Sequence, residues 1–232
     1  MGNVAFVQDQ VLEAFCAEAG ELSRAAAELS DAEWDRPTRC APWSVRDLVA
    51  HIRVAIGWVP GMLSALAPER AEVSAAQYYR ADQRFATELN AARVALAQDH
   101  AASQVTGAAL AEDFAVAWQQ VARLCRQEPV RRVVRTRHGD AMLLSDFMVT
   151  RVVEIAVHGL DIADALRRRP WLTRPAADLV QELLLGPGWA TATAELGWNP
   201  ERCLRKATGR EPLSVAETRA VNRLGIRWLT LG

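Results

Sequence analysis

Lysine is nearly missing from this chain: Lys206 is the only one, and arginine supplies almost all of the positive charge. That bias matches codon usage in a GC-rich bacterial genome and carries no functional message. The 27 basic and 28 acidic residues leave a formal net charge of −1, so there is no basic excess and no nucleic-acid partner is expected. Cysteine is sparse as well. Cys16, Cys40, Cys125 and Cys203 are scattered without a C-x-x-C pair, and no disulfide framework is indicated. No apolar run approaches the roughly 18 residues of a membrane span. The opening M-G-N-V-A-F-V-Q-D-Q lacks the charged start and apolar core of a signal peptide. A cytoplasmic protein with no membrane partner is therefore expected. What the chain does have is apolar residues: half of its 232 positions are hydrophobic, enough to bury a sizeable core.

Their periodicity predicts helices. Val7, Val11, Leu12, Phe15, Ala19, Leu22 and Ala26 recur at three- and four-residue intervals and predict a first helix over 4–29. The loop A-E-W-D-R-P-T-R-C-A-P-W follows, with Trp34 and Trp43 expected as anchors and Cys40 as a packing residue. Ser44 opens a second helix, with Asp47 three residues on in the manner of a capping box. A third helix is predicted over 74–98, including Phe85, and a fourth over 110–126; H-A-A-S-Q-V-T-G between them reads as loop, with His100 exposed. V-R-R-V-V-R-T-R-H-G-D-A-M-L-L breaks the helical pattern and predicts a short hairpin with His138 in its turn. Ser145 is expected to cap the next helix, which runs to Arg168. After Pro170 come short helical segments, one with Pro175 at its first position, and the terminal G-I-R-W-L-T-L-G is expected to tuck against the main body. The expected fold class is all-α: a helical domain over 1–169 and a mainly helical C-terminal extension over 170–232, with one small hairpin.

One stretch stands apart. R-V-V-E-I-A-V-H-G-L-D places Arg151, Glu154, His158 and Asp161 within roughly an 80° sector of one helix face. Apolar residues cover much of the remainder, as in a buried helix whose polar row must be satisfied inside the protein. Taken alone, the row reads better as a solvated face with two ion pairs. Glu154 and His158 at i, i+4 also have the spacing of two metal ligands on one helix. His51, at the edge of the second helix's buried face, extends the set to N, O and N ligands from two helices. Zinc accepts those atoms and keeps a fourth position open; nickel or iron accepts similar ones. Asp161 would orient a ligand imidazole, and Arg151 would pair with Glu154 or hold an anionic substrate.

W-D-R-P-T-R-C-A-P-W-S-V-R-D-L-V-A-H-I, followed much later by R-V-V-E-I-A-V-H-G-L-D-I-A-D-A-L, resembles the N-terminal domain of the mycothiol-dependent maleylpyruvate isomerases, within the DinB-like metalloenzyme superfamily. The resemblance covers about residues 5–168. It implies a DinB-like four-helix bundle, with one predicted helix left over, and a divalent metal, usually zinc, on His51, Glu154 and His158. A-T-G-R-E-P-L-S and G-I-R-W-L-T-L-G resemble the ending of many actinobacterial members. The isomerase proper has a fuller α/β C-terminal domain that contributes an arginine to its activity, and the positional candidate here is Arg210. Arg210 joins Asp161 and Arg151 as the candidate catalytic residues. The implied chemistry is activation of mycothiol as a thiol cosubstrate, for isomerisation of, or S-transfer to, a small electrophile. Two other readings stand beside it: a DinB-fold metalloenzyme with another reaction in secondary metabolism, and a non-catalytic metal-binding bundle. A monomer or homodimer is expected.

Overall fold

A computed structural model describes residues 6–79 and 87–224. Four long helices enclose the core: α1 (Gln8–Ala27), α3 (Val45–Gly57), α7 (Gly107–Gln127) and α8 (Leu144–Leu166). α1 and α3 each pack against both α7 and α8, which closes the four into a bundle. The leftover long helix is α6 (Thr87–Ser103), which packs on the outside of α3. Short α2 (Asp31–Trp34), α4 (Val59–Ser64) and α5 (Ala75–Tyr78) fill the connections. The hairpin is present: β1 (Val133–Arg135) pairs antiparallel with β2 (Ala141–Leu143) in the register Val134↔Met142, and Gly139 turns it at φ 91°.

Local chemistry sets the helix starts. At α3, Ser44 accepts from the Asp47 backbone N–H while the Asp47 carboxylate accepts from the Ser44 backbone N–H, so two of the helix's orphan donors are satisfied. At α7, Thr106 accepts from the Ala109 N–H. Gly107 must be glycine, because a Cβ there would collide with the buried Trp34 indole. α8 is buried along almost its whole length, including Asp146, Arg151 and Asp161, so each of its polar groups needs a partner inside the protein.

Several expectations need correction. His100 is helical rather than in a loop: with no glycine or proline at 98–103, α6 continues to Ser103 and buries Ala97 and Ala101. His100 Nε2 lies 2.9 Å from Asp113 Oδ2, and Asp113 also pairs with Arg53, tying α6, α7 and α3 together. Tyr79 ends α5, and the part of the predicted third helix around Phe85 lies outside the described residues. Leu143, not Ser145, is the N-cap of α8, because β2 leads directly into the helix. An additional helix, α10 (Trp189–Leu196), occupies a stretch for which no helix was predicted.

Beyond α8 the chain continues through α9 (Arg174–Leu185), α10, α11 (Pro200–Ala207) and α12 (Val215–Arg223). Pro175 is the second residue of α9, after Arg174, and Thr173 is its N-cap. Leu179, Val180, Leu183 and Leu184 of α9 join the bundle core, whereas Trp198, Cys203 and Val221 form a small separate cluster. Lys206, the lone lysine, has its side chain buried beside that cluster, between Glu211 and Glu217 at 2.9 and 3.0 Å. The terminal G-I-R-W-L-T-L-G lies outside the described residues.

Candidate metal centre

The contact of α3 with α8 brings the metal-ligand candidates together. His51 Nε2 lies 3.2 Å from Glu154 Oε2, and His158 Nε2 lies 3.4 Å from the same oxygen. One donor atom from each residue falls within 4.8 Å of the others. Two imidazole nitrogens and a carboxylate oxygen converging from neighbouring helices are a donor set that fits a divalent cation with a position left open.

The remaining candidates surround this triad. Asp161 is fully buried and meets His158 Nδ1 at 3.0 Å. Arg210, in the loop after α11, reaches back to grip Asp161 with two hydrogen bonds of 2.8 and 2.7 Å. Three residues further along α8, Asp164 takes the Arg205 guanidinium, so the C-terminal extension is pinned to the helix that carries two of the donors. Arg151 is held by Ala55 O at 3.0 Å and by Thr150 Oγ1, lies over the Phe147 ring, and comes within 3.9 Å of Glu154. That geometry makes Arg151 a fixed countercharge for Glu154.

Sequence reasoning missed two members of the shell. Cys40, read as a packing residue, donates its thiol to Asp161 Oδ2 at 3.2 Å and lines the cavity. Trp43, read as an anchor, is buried but also stacks on the His51 ring, with centroids 4.6 Å apart. A signal for Trp43 was available: it directly precedes the N-cap of the helix that carries His51. For Cys40 no local pattern gave one.

Burial alone would raise the Glu154 pKa, but hydrogen bonds from His158 and His51 outweigh it and hold the carboxyl well below its ordinary range. Burial pushes His51 down and favours its neutral form. Burial would also lower His158, yet Asp161, Cys40 and Glu154 together hold it well above the usual histidine value. Asp161 is likewise held low, because His158 and Arg210 overcome its desolvation.

A cavity of about 680 Å³ opens onto this centre. Among the described residues Arg39, Arg93, Arg137, Arg151 and Arg210 line it, against Glu154 as the one carboxylate. Trp43, Val54, Met62 and Val157 supply apolar wall.

Residues 15–163 match the family model described as the mycothiol maleylpyruvate isomerase N-terminal domain. No curated protein sequence matches the chain. Among solved structures, the chain is similar to a crystal structure of a histidine-to-alanine mutant of the mycothiol-dependent maleylpyruvate isomerase. The identity is 13%, the TM-score 0.53, and the match covers 76% of this chain and 68% of that one. At that identity the likeness concerns the fold, which is the all-α, DinB-like bundle with its small hairpin.

Proposed function

The chain belongs to the mycothiol maleylpyruvate isomerase N-terminal domain family, and from that premise we propose a divalent-metal enzyme that uses a low-molecular-weight thiol on a small anionic electrophile. The metal is zinc, the thiol is mycothiol, and the reaction is a cis–trans isomerisation or an S-transfer. The protein works in the cytoplasm, without nucleic acid or membrane, as a monomer or homodimer. The observation that carries this reading is the convergence of two imidazole nitrogens and a carboxylate oxygen on the wall of a cavity large enough for thiol and substrate together.

The cavity's charge supports an anionic substrate. Among the described residues five guanidiniums line one cavity of a chain with net charge −1; Arg151 and Arg210 are committed to Glu154 and Asp161, and the excess of positive charge around the cavity favours a carboxylate. His51, Glu154 and His158 would hold a divalent cation, which would lower the pKa of a bound thiol and so supply a thiolate at neutral pH. The sulfur then adds to one carbon of a cis double bond conjugated to a carbonyl, and the electron pair moves to the carbonyl oxygen. Rotation about the new single bond and return of the pair break the C–S bond, releasing the trans isomer and the thiolate. In an S-transfer the adduct is protonated and kept. Neither route consumes a protein cysteine. Asp161 holds the His158 ring through Nδ1, and Arg210 holds Asp161, so both act on the geometry of a ligand.

Elemental analysis of protein purified without added metal, followed by thiol titration, tests the centre. Near-stoichiometric zinc and mycothiol-dependent turnover of maleylpyruvate are expected; absence of zinc, nickel and iron would sink the proposal. His158→Ala should lose metal and activity while keeping its helical circular dichroism.

A further inference from the structure

The two candidate imidazole ligands are supported differently. His158 has the usual arrangement, in which the nitrogen facing away from the metal position is held by a carboxylate, Asp161 at 3.0 Å. Among the described residues, the hydrogen-bond partner of His51 is Glu154, through Nε2, which is also the nitrogen aimed at the metal position. Among the described residues no carboxylate holds His51 in the way that Asp161 holds His158. Instead, an aromatic face covers one side of the His51 ring. The Trp43 indole lies against the His51 ring with centroids 4.6 Å apart and planes 26° apart. It also meets the His158 ring edge-on at 6.3 Å, and the two imidazoles stand nearly perpendicular to each other at 5.2 Å.

Trp43 is itself held firmly. Its ring is buried, and its backbone N–H donates to Cys40 O at 2.9 Å. Its carbonyl accepts from the backbone N–H of Thr38 at 3.0 Å and from the Thr38 hydroxyl at 2.8 Å. The indole N–H is buried without a hydrogen-bond partner among the described residues.

We propose that Trp43 is a positioning residue for the metal centre: its indole face fixes the plane of the His51 imidazole, in the role that a hydrogen-bonding carboxylate plays for His158. To leave the metal-binding plane, the His51 ring must swing through an orientation that the indole occupies. The proposal rests on the metal reading of His51, Glu154 and His158.

The test is zinc affinity of the full chain, by competition with a chromophoric chelator, together with the visible spectrum of the cobalt-substituted protein. Wild type, Trp43→Phe and Trp43→Leu are compared, with thermal melting of each metal-free protein alongside. Phe keeps a ring face, so its zinc affinity should stay within about threefold of wild type and its cobalt bands unchanged. Leu should bind zinc about tenfold or more weakly, the loss typical for a group that orients a metal ligand, with shifted cobalt bands. If Trp43→Leu does not fold, Trp43→Met, which is long and ringless, takes its place. Equal affinities in all three proteins overturn the proposal, and so do equal losses in Phe and Leu that follow their melting temperatures. Wild-type protein that binds no zinc overturns the metal reading, and this inference with it. Zinc binding that is indifferent to the ring overturns only this one.

Discussion

Asp161→Asn probes the point where the bundle, the candidate ligand His158 and the C-terminal extension meet. The wild-type carboxylate is fully buried and receives hydrogen bonds from Nε and Nη2 of Arg210, from His158 Nδ1 and from the Cys40 thiol. Asparagine has nearly the same shape but one acceptor oxygen and an NH2 group. One of its ends must then face Arg210 or His158 donor to donor. Uncoupling a buried ion pair typically costs about 3–5 kcal/mol; because one oxygen remains, about 3 kcal/mol is expected in urea unfolding of the metal-free protein. Separately, an unoriented His158 should weaken zinc binding by about 10- to 100-fold, or roughly 1.4–2.7 kcal/mol. The same chelator competition reads this second effect. A double-mutant cycle with Arg210→Met divides the stability loss between the Arg210 pair and the His158 bond. Unfolding free energy within about 0.5 kcal/mol of wild type, together with zinc affinity within threefold, would refute the linkage of Arg210 through Asp161 to His158.

Two further predictions concern stability. Glu18 is buried in α1 with Thr173, at the start of α9, as its one hydrogen-bond partner among the described residues, and burial raises its carboxyl from 4.5 to about 7. Because the folded value is raised, its contribution to stability is complete below about pH 4.5 and is lost as pH rises through 7, amounting to about 3 kcal/mol. Glu18→Gln, which keeps an acceptor for Thr173, should match wild type near pH 4.5 and exceed it by up to that amount at pH 8. A pH-independent difference in urea unfolding contradicts this. Gly107→Ala should destabilise by about 1–3 kcal/mol through collision with Trp34, although alanine is intrinsically the better helix former by about 1 kcal/mol; a variant that melts at or above the wild-type temperature would show that Trp34 can yield.

Much of the helical layout was legible because apolar periodicity and side-chain caps act within a few residues. The Ser44–Asp47 capping box, the hairpin about Gly139 and the row from Arg151 to Asp161 are local patterns of this kind. Where a prediction failed, the deciding force lay elsewhere in the chain. His100 was assigned to a loop because its segment is short of large apolar residues; α6 persists there because Ala97 and Ala101 bury and His100 finds Asp113 on another helix. Cys40 was read as a packing residue because its partner Asp161 is 121 residues away, whereas the stacking of Trp43 on His51, eight residues on, had a local signal that went unread.

The sequence by itself determined that α8 presents Arg151, Glu154, His158 and Asp161 on one face, since the helical repeat leaves them no other arrangement. Whether that face meets water or a second histidine was not determined, because position on a helix says nothing about what packs against it. Only the tertiary structure decided that. The crossing of α3 on α8 brings His51 Nε2 to Glu154, and the return of the chain after α11 sets Arg210 on Asp161. A buried carboxylate and its guanidinium 49 residues apart meet only when the whole core has closed around them.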